Sequence, residues 1–270
     1  MEQIKYSSPV PLLILHERHT PDDADIWRVA VRRKWVTERV NRYSVATRLS
    51  GHSVVRYYGN VLHLSMIANQ LPITFHDIDP AVLATVPWAT HRDIALMRFG
   101  ELPQPMTGRA FVKPVHVKWF EAKVYNPGDT VTGAPEIDDL IYVQSVTEFI
   151  DEVRCFCLDG VILTASLYRI NRVVWDQSGI DESLINYDDR IASTPIPGYV
   201  ADLYSRAKLP RALVIDFGRH LDGSWSLIEF NEPWASGLYF CDPERCFDCI
   251  VESQMDVPLS AAPAGQPLSP

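Results

Sequence analysis

The chain has 270 residues, 47% of them hydrophobic, and a formal net charge of −9. That is enough apolar chain for one large core or two smaller ones, while the acidic balance disfavours generic nucleic-acid or anionic-membrane binding. No apolar run approaches the roughly 20 residues needed to cross a bilayer, and PVPLLIL near the start is too short for a signal-peptide core.

Taken in chain order, Val10–Leu15 is a short apolar run and reads as a buried strand. Thr20-Pro21-Asp22-Asp23 is a helix start, and Trp27, Val31 and Trp35 keep helical spacing as far as Arg39. Arg28, Arg32, Arg33, Lys34 and Arg39 fill the opposite face, which is read as solvated, with contact to an anionic partner as the alternative. Val54–Tyr58 is a second strand, followed by a helix over Val61–Gln70, an apolar piece at Ile73–Phe75 and a short helix at Asp79–Ala84. This alternation predicts a small α/β unit over residues 1–88. Pro87–Pro105 reads as a connector, with Thr90 capping a short helix across Asp93–Arg98. Ala110–Val112, ending in Lys113-Pro114, and Trp119–Tyr125 read as a hairpin with Lys113 and Lys118 near its turn.

Ile141–Val146 is an apolar strand. Val153–Leu158 and Val161–Tyr168 form a hairpin through Asp159-Gly160. Asn171–Pro197 is polar and reads as loops over a site, and Tyr199–Lys208 as a helix. Ala212–Ile215 ends in Asp216, and Trp225–Phe230 carries Glu229 and precedes Asn231. The intervening Asp222-Gly223 marks a further hairpin. Residues 256–270, rich in Ala, Pro, Ser and Gly, read as a disordered tail. The five cysteines are an odd number. Cys241, Cys246 and Cys249 are spaced C-x4-C-x2-C without a fourth ligand, so a zinc site is not favoured, and a reduced, cytoplasmic protein is the default.

Two pairs of positions carry the chemistry. Glu152 and Arg154 are two apart on one strand and share a face, as do Glu229 and Asn231. If the last two strands pair, Asp216 joins Glu229 and Asn231 in a set of hard oxygen ligands suited to Mg²⁺. Two lysines, an apolar strand, an arginine and a metal-binding carboxylate set are the parts a nucleoside triphosphate site needs. No G-x-x-x-x-G-K-[ST] loop, dinucleotide fingerprint or kinase catalytic loop is present. The bland alternatives are a strand-end lysine at 113, a cross-strand ion pair at 152/154, and packing roles for Trp119 and Phe120. His116, between the lysines, reads as an exposed loop residue.

Three segments in order, FVKPVHVKWFEAKVY, VQSVTEFIDEVRCFCLDGVI and LVIDFGRHLDGSWSLIEFNEPWASGLY, resemble the ATP-grasp superfamily, in particular its branch named for one arginine and two lysines. The resemblance covers roughly Arg109–Tyr239. It implies an α+β fold in which two antiparallel-sheet subdomains clasp ATP, over residues 89–255, after the α/β unit. It implies that Lys113 and Lys118 contact phosphates, that Gln144, Ser145 and Val146 form the adenine hinge with Glu148 nearby, and that Glu152 lies by the ribose or the metal network. By the same likeness Arg154 faces the γ-phosphate or an acyl-phosphate, Lys118 assists catalysis, and Asp216, Glu229 and Asn231 bind one or two Mg²⁺ ions. The implied activity is a ligase that activates a carboxylate as an acyl-phosphate for attack by an amine or other nucleophile, with a protein or RNA end as one acceptor class. Glu232–Gly237 departs from the turn seen in peptide-forming relatives, which leaves the acceptor open. Loss of turnover with an intact fold is the expectation for both Lys113→Ala and Asp216→Ala. The alternative reading is a nucleotide-binding sensor or interaction module without ligase chemistry.

Overall fold

Residues 10–17, 19–41, 52–115, 118–133, 136–174 and 187–256 are described by a computed structural model. Strand β1 (Val10–His16) lies between β2 (Val36–Val40) and β3 (His52–Tyr58), both parallel to it. Helix α1 (Pro21–Arg32) connects β1 to β2. It begins in a capping box: the Thr20 hydroxyl accepts from the Asp23 N–H at 3.1 Å, and the Asp23 carboxylate accepts from the Thr20 N–H at 3.2 Å. The helix does not run on to Arg39. Lys34 takes a left-handed φ of 61°, and the β-branched Val36, Thr37 and Val40 pair with β1 instead.

Asn60 caps helix α2 (Val61–Ile67), and a 3₁₀ turn over Ala68–Gln70 completes the expected helical stretch. Strand β4 (Ile73–Phe75) follows, then helices α3 (Ala81–Ala84) and α4 (Pro87–Thr90). The connector expected after Pro87 is more structured than its composition suggests. His91 ends α4 with φ 51°, and Asp93–Arg98 is not a helix: Ile94–Arg98 is strand β5. Its partner is β8 (Leu140–Gln144), in register from Ile94↔Gln144 to Arg98↔Leu140. Ala, Leu and Met favour helix locally, but strand pairing supplies the backbone partners and overrides the preference. With β6 (Ala110–Pro114) and β7 (Lys123–Tyr125), these strands form a sheet of order β5-β8-β6-β7 over a small core of Leu102, Met106, Val112, Phe120, Tyr125, Val131 and Ile141. The strand expected over Trp119–Tyr125 is confined to its last three residues.

The largest sheet has the order β11-β10-β9-β12-β13, from β9 (Asp151–Leu158), β10 (Val161–Ile170), β11 (Val173–Val174), β12 (Ala212–Arg219) and β13 (Trp225–Asn231). Both expected hairpins form, with Gly160 at φ 81° and Gly223 at φ 86° supplying the left-handed turn positions. Alternation splits the strands between two cores. Val153, Cys155, Leu213, Ile215 and Phe217 pack under helices α5 (Asp188–Ile191) and α6 (Ile196–Arg206). Phe156 and Val214 face the core shared with α1, β1 and helix α7 (Pro243–Glu252). Asn171–Pro197 is therefore not all loop: it contains β11, α5 and the start of α6, and residues 175–186 lie outside the described residues.

Helix α7 is not anticipated above, although Asp242-Pro243-Glu244 is a helix-start pattern and the Asp242 carboxylate accepts from the Glu244 N–H at 2.8 Å. It buries Cys246, Phe247, Cys249 and Ile250. All five cysteines are free and buried. After α7, strand β14 (Gln254–Asp256) pairs with β4, so Asp256 lies in a sheet rather than in a tail, and Arg56 holds its carboxylate at 2.7 Å. The rest of the expected tail falls outside the described residues.

Candidate nucleotide and metal site

The four-stranded and five-stranded sheets flank a cleft of about 1390 Å³. Lys113, Lys118, Gln144, Ser145, Val146, Glu152, Arg154, Glu229 and Asn231 line it; Glu148 and Asp216 do not. Lys113 sits on β6 in register with Tyr142, and its ammonium lies 5.6 Å from the centre of the Tyr142 ring. Across the cleft it donates to the Glu229 carboxylate. This contact joins an early strand of one sheet to a late strand of the other, 116 positions apart in sequence. Burial works to raise the Glu229 carboxyl, but Lys113 and the Asn231 amide outweigh it and pull it down to about 2.

Asp216 and Glu229 are register partners on β12 and β13, and a bulge follows them. The Asn231 amide bridges the two carboxylates, donating to Asp216 Oδ2 and to Glu229 Oε1, each at 3.1 Å. Behind this pair Asp216 is fully buried. Arg154 on β9 grips it with two bonds, Nε to Oδ1 at 2.9 Å and Nη2 to Oδ2 at 2.7 Å. Burial opposes the charge on Arg154, but the Asp216 carboxylate beside it holds the guanidinium protonated. Its Cζ lies 4.5 Å from the Tyr239 ring centre, and its Nη1 donates to the Gly237 carbonyl at 3.0 Å. Most of the fork of Arg154 is therefore spent on protein acceptors. Glu152, one face-step along β9, accepts from the Tyr168 hydroxyl at 2.7 Å and from Arg169.

Gln144 is buried at the end of β8, whereas Ser145 is exposed and its N–H donates to the Asp93 carbonyl at 2.9 Å. Lys118 is exposed beside Trp119, which also lines the cleft, and His116 lies outside the described residues. Glu148 points away, exposed and paired with Arg172 at 3.0 Å.

A family model described as an ATP-grasp domain, the second family of its clade, matches residues 90–249. The chain belongs to the ATP-grasp family. Among curated proteins no sequence matches it. Among solved structures, the D-cycloserine synthetase DcsG superposes with a TM-score of 0.56 at 14% identity, covering 90% of this chain and 99% of that one. The ATP complex of D-alanine–D-alanine ligase from Bacillus anthracis superposes with a TM-score of 0.51 at 11% identity, over 90% of this chain and 97% of the other. At such identities the likeness is one of fold. It agrees with the α+β arrangement of two sheets about a cleft.

The donor chemistry of this ATP-grasp cleft fits Mg²⁺. Glu229 presents hard oxygens to the cleft, while the Asn231 amide turns its N–H₂ to the two carboxylates and would bring its oxygen there by a half-turn. Asp216 has most of its lone pairs occupied by Arg154 and Asn231. Among the described residues no group of three His, Cys, Asp or Glu side chains forms a metal cage.

Two site residues escape the sequence reading. Arg169 lines the cleft beside Glu152, and its Nε is buried with no hydrogen-bond partner. Arg92 precedes β5 and reaches across to β13. Arg169 could have been found from its position, since it lies near the end of β10 opposite Glu152. No sequence signal marks Arg92, because its role comes from the cross-sheet contact. Trp234 turns out to be a core residue: it packs 4.7 Å from the Phe75 ring, and its carbonyl accepts from the Gly59 N–H at 3.0 Å. The basic face of α1 is largely satisfied within the chain, since Arg32 and Arg33 pair with Glu244 and Asp248 on α7. No helix among the described residues is long and apolar enough to cross a membrane.

Proposed function

We propose that the chain is an ATP- and Mg²⁺-dependent ligase that activates a carboxylate as an acyl-phosphate for attack by an amine or another nucleophile. The observation that carries this reading is the meeting of Lys113 and Glu229 across the cleft. A cation from one sheet and an anion from the other, both partly exposed to one cavity, are what a triphosphate with its metal separates and satisfies. The names synthetase and ligase borne by the two fold relatives support the reaction class.

In this reading the adenine lies against Gln144–Val146, and Lys113 and Lys118 neutralise phosphate oxygens as mobile point charges. Glu229 and Asn231 would hold Mg²⁺, with Asp216 orienting the amide from behind. The metal supplies charge neutralisation on the phosphate oxygens. Glu152 holds Arg169 at the cleft wall, where its spare donors face the transferred phosphoryl group, while Arg154 gives the wall its charge and rigidity. The substrate carboxylate attacks the γ-phosphorus and ADP leaves. The nucleophile then attacks the acyl carbon, phosphate leaves, and the nucleophile's proton passes to solvent. Catalysis rests on positioning and charge complementarity rather than on a covalent enzyme intermediate.

The test follows ADP release with Mg²⁺ and ATP across a panel of carboxylates paired with amines, including peptides. Acceptor-dependent ADP release that disappears in Lys113→Ala supports the ligase. Tight nucleotide binding without ADP release from any pair would replace it with a binding module.

A further inference from the structure

We propose that Arg92 is a positioning residue that fixes the distance between strand β8, on the adenine side of the cleft, and strand β13, which carries Glu229. The inference rests on the nucleotide-site reading given above. Arg92 stands just before β5, within the four-stranded sheet. Its Nε donates to the Gln144 side-chain oxygen at 3.0 Å, and its Nη1 to the Thr90 carbonyl at 3.3 Å. Nη1 and Nη2 also donate to the carbonyls of Leu227 and Ile228, the two residues before Glu229. One planar fork thus binds the end of β8 and the middle of β13, which belong to different sheets.

The acceptors are all uncharged: three carbonyls and an amide. A guanidinium placed for an ion pair has a carboxylate opposite it, as Arg154 has. Arg92 instead caps backbone oxygens in a partly buried position, where burial lowers it to about 10 and Glu229 opposes the shift. It stays charged at neutral pH and makes several charge-assisted bonds to main chain. A second polar contact across the cleft is Lys113 to Glu229. In the proposed function that contact opens when phosphate and metal enter, because both partners turn to the ligand. Arg92 lines the cleft, but four of its five N–H donors are committed to protein oxygens in these bonds. The bonds keep the two walls in register while the Lys113–Glu229 contact exchanges, so Arg92 acts through Glu229 and Gln144 without touching substrate.

Two measurements test this on the full chain with Arg92→Lys, Arg92→Gln and Arg92→Ala. The first reads the ¹³C carbonyl shifts of Leu227 and Ile228 without nucleotide. They are expected to move in all three variants, least in Arg92→Lys; unchanged shifts overturn the clasp. The second titrates Mg²⁺ with a non-hydrolysable ATP analogue by calorimetry, in the native background and with Glu229→Gln. Arg92→Ala is expected to weaken binding about tenfold, Arg92→Lys to recover part of it, and the Arg92 and Glu229 losses to fall short of additive. Fully additive losses overturn the proposal, since Arg92 would then act independently of Glu229. If Arg92→Ala does not fold, the Lys and Gln variants carry both measurements. A native chain that binds no nucleotide overturns the proposed function, while the carbonyl shifts still decide whether Arg92 joins the strands.

Discussion

Two cation–carboxylate pairs lie a few residues apart in this cleft, and their surroundings give them opposite characters. Arg154 and Asp216 are buried, with side chains 8% and 0% exposed, and although Arg154 borders the cleft its guanidinium is held by Asp216 and the Gly237 carbonyl. Lys113 and Glu229 are 17% and 27% exposed and open to the cavity. Asp216 and Glu229 are direct register partners, so adjacent strands present one carboxylate to the interior and one to the cleft. Burial drives the Asp216 carboxyl up to about 6 even against the pull of Arg154. Glu229 moves the other way. The chemistry of the pair does not set its role; access to the cavity does. A buried pair is held by the penalty for breaking it, whereas an accessible pair can exchange partners at small cost.

The sharpest way to break this contrast is to remove one member of each pair. Asp216→Ala leaves the Arg154 guanidinium buried without a counter-ion, and the expected loss is about 3–5 kcal/mol, read as a lowered midpoint in urea unfolding. This departs from the expectation, drawn from the sequence, that the fold survives that substitution. A midpoint within experimental error of the native chain would place Asp216 outside the scaffold. Lys113→Ala is expected to act chiefly on turnover. The expected stability loss is on the order of 2 kcal/mol, less than for Asp216→Ala, while nucleotide-dependent turnover falls by about 100-fold. Equal stability losses in the two variants would erase the distinction between the pairs.

Acid titration sharpens the same comparison with a smaller effect. The folded-state Glu229 carboxyl lies at about 2, below its ordinary 4.5. A depressed carboxyl stabilises the fold above the unfolded value, and that contribution is lost as pH falls from about 4.5 towards 2. Asp216 has the opposite sign: its raised carboxyl favours the fold below about 3.8, and that contribution is lost as pH rises through about 6. For Glu229, discounted for partial exposure, the expected loss is on the order of 2 kcal/mol. Unfolding free energies measured from pH 5 to pH 2.5 in the native chain and in Glu229→Gln check it. The variant is expected to lose less stability over this range, and parallel curves would remove Glu229 from the acid response.

How much of this was legible in the sequence depends on the range of the interaction involved. The hairpins at Asp159-Gly160 and Asp222-Gly223 announce themselves because turn chemistry is local. So does the face-sharing of Glu152 with Arg154, and of Glu229 with Asn231, because strand periodicity is local. The meeting of Lys113 with Glu229 could be inferred only through family resemblance, since no local rule joins positions so far apart. Two readings failed where tertiary pairing overrode local preference: the helix expected to reach Arg39 gives way to β2, and the helix expected at Asp93–Arg98 is β5. Arg92 was invisible because its partners are main-chain carbonyls, which any sequence could supply. The burial of Asp216 was likewise hidden, for a strand carboxylate looks the same in sequence whether an arginine covers it or a cavity opens beside it.

The smallest expected effect falls outside the cleft, at Glu148, which family resemblance placed near the nucleotide. The structure has it 76% exposed in a surface pair with Arg172, itself 55% exposed. Solvent screens such a pair, and ordering two long side chains offsets much of its attraction, so its net worth is a few tenths of a kcal/mol at most. Glu148→Ala is therefore expected to leave both the unfolding midpoint and the affinity for Mg²⁺ and ATP within error of the native chain. Calorimetric titration alongside Glu152→Ala supplies the control, because Glu152 faces the cleft and holds Arg169 there. A weakened affinity in Glu148→Ala alone would mean that this segment turns inward when nucleotide binds. The boundary between scaffold and exchanging contacts would then extend beyond the two ion pairs to the strand end after Gln144.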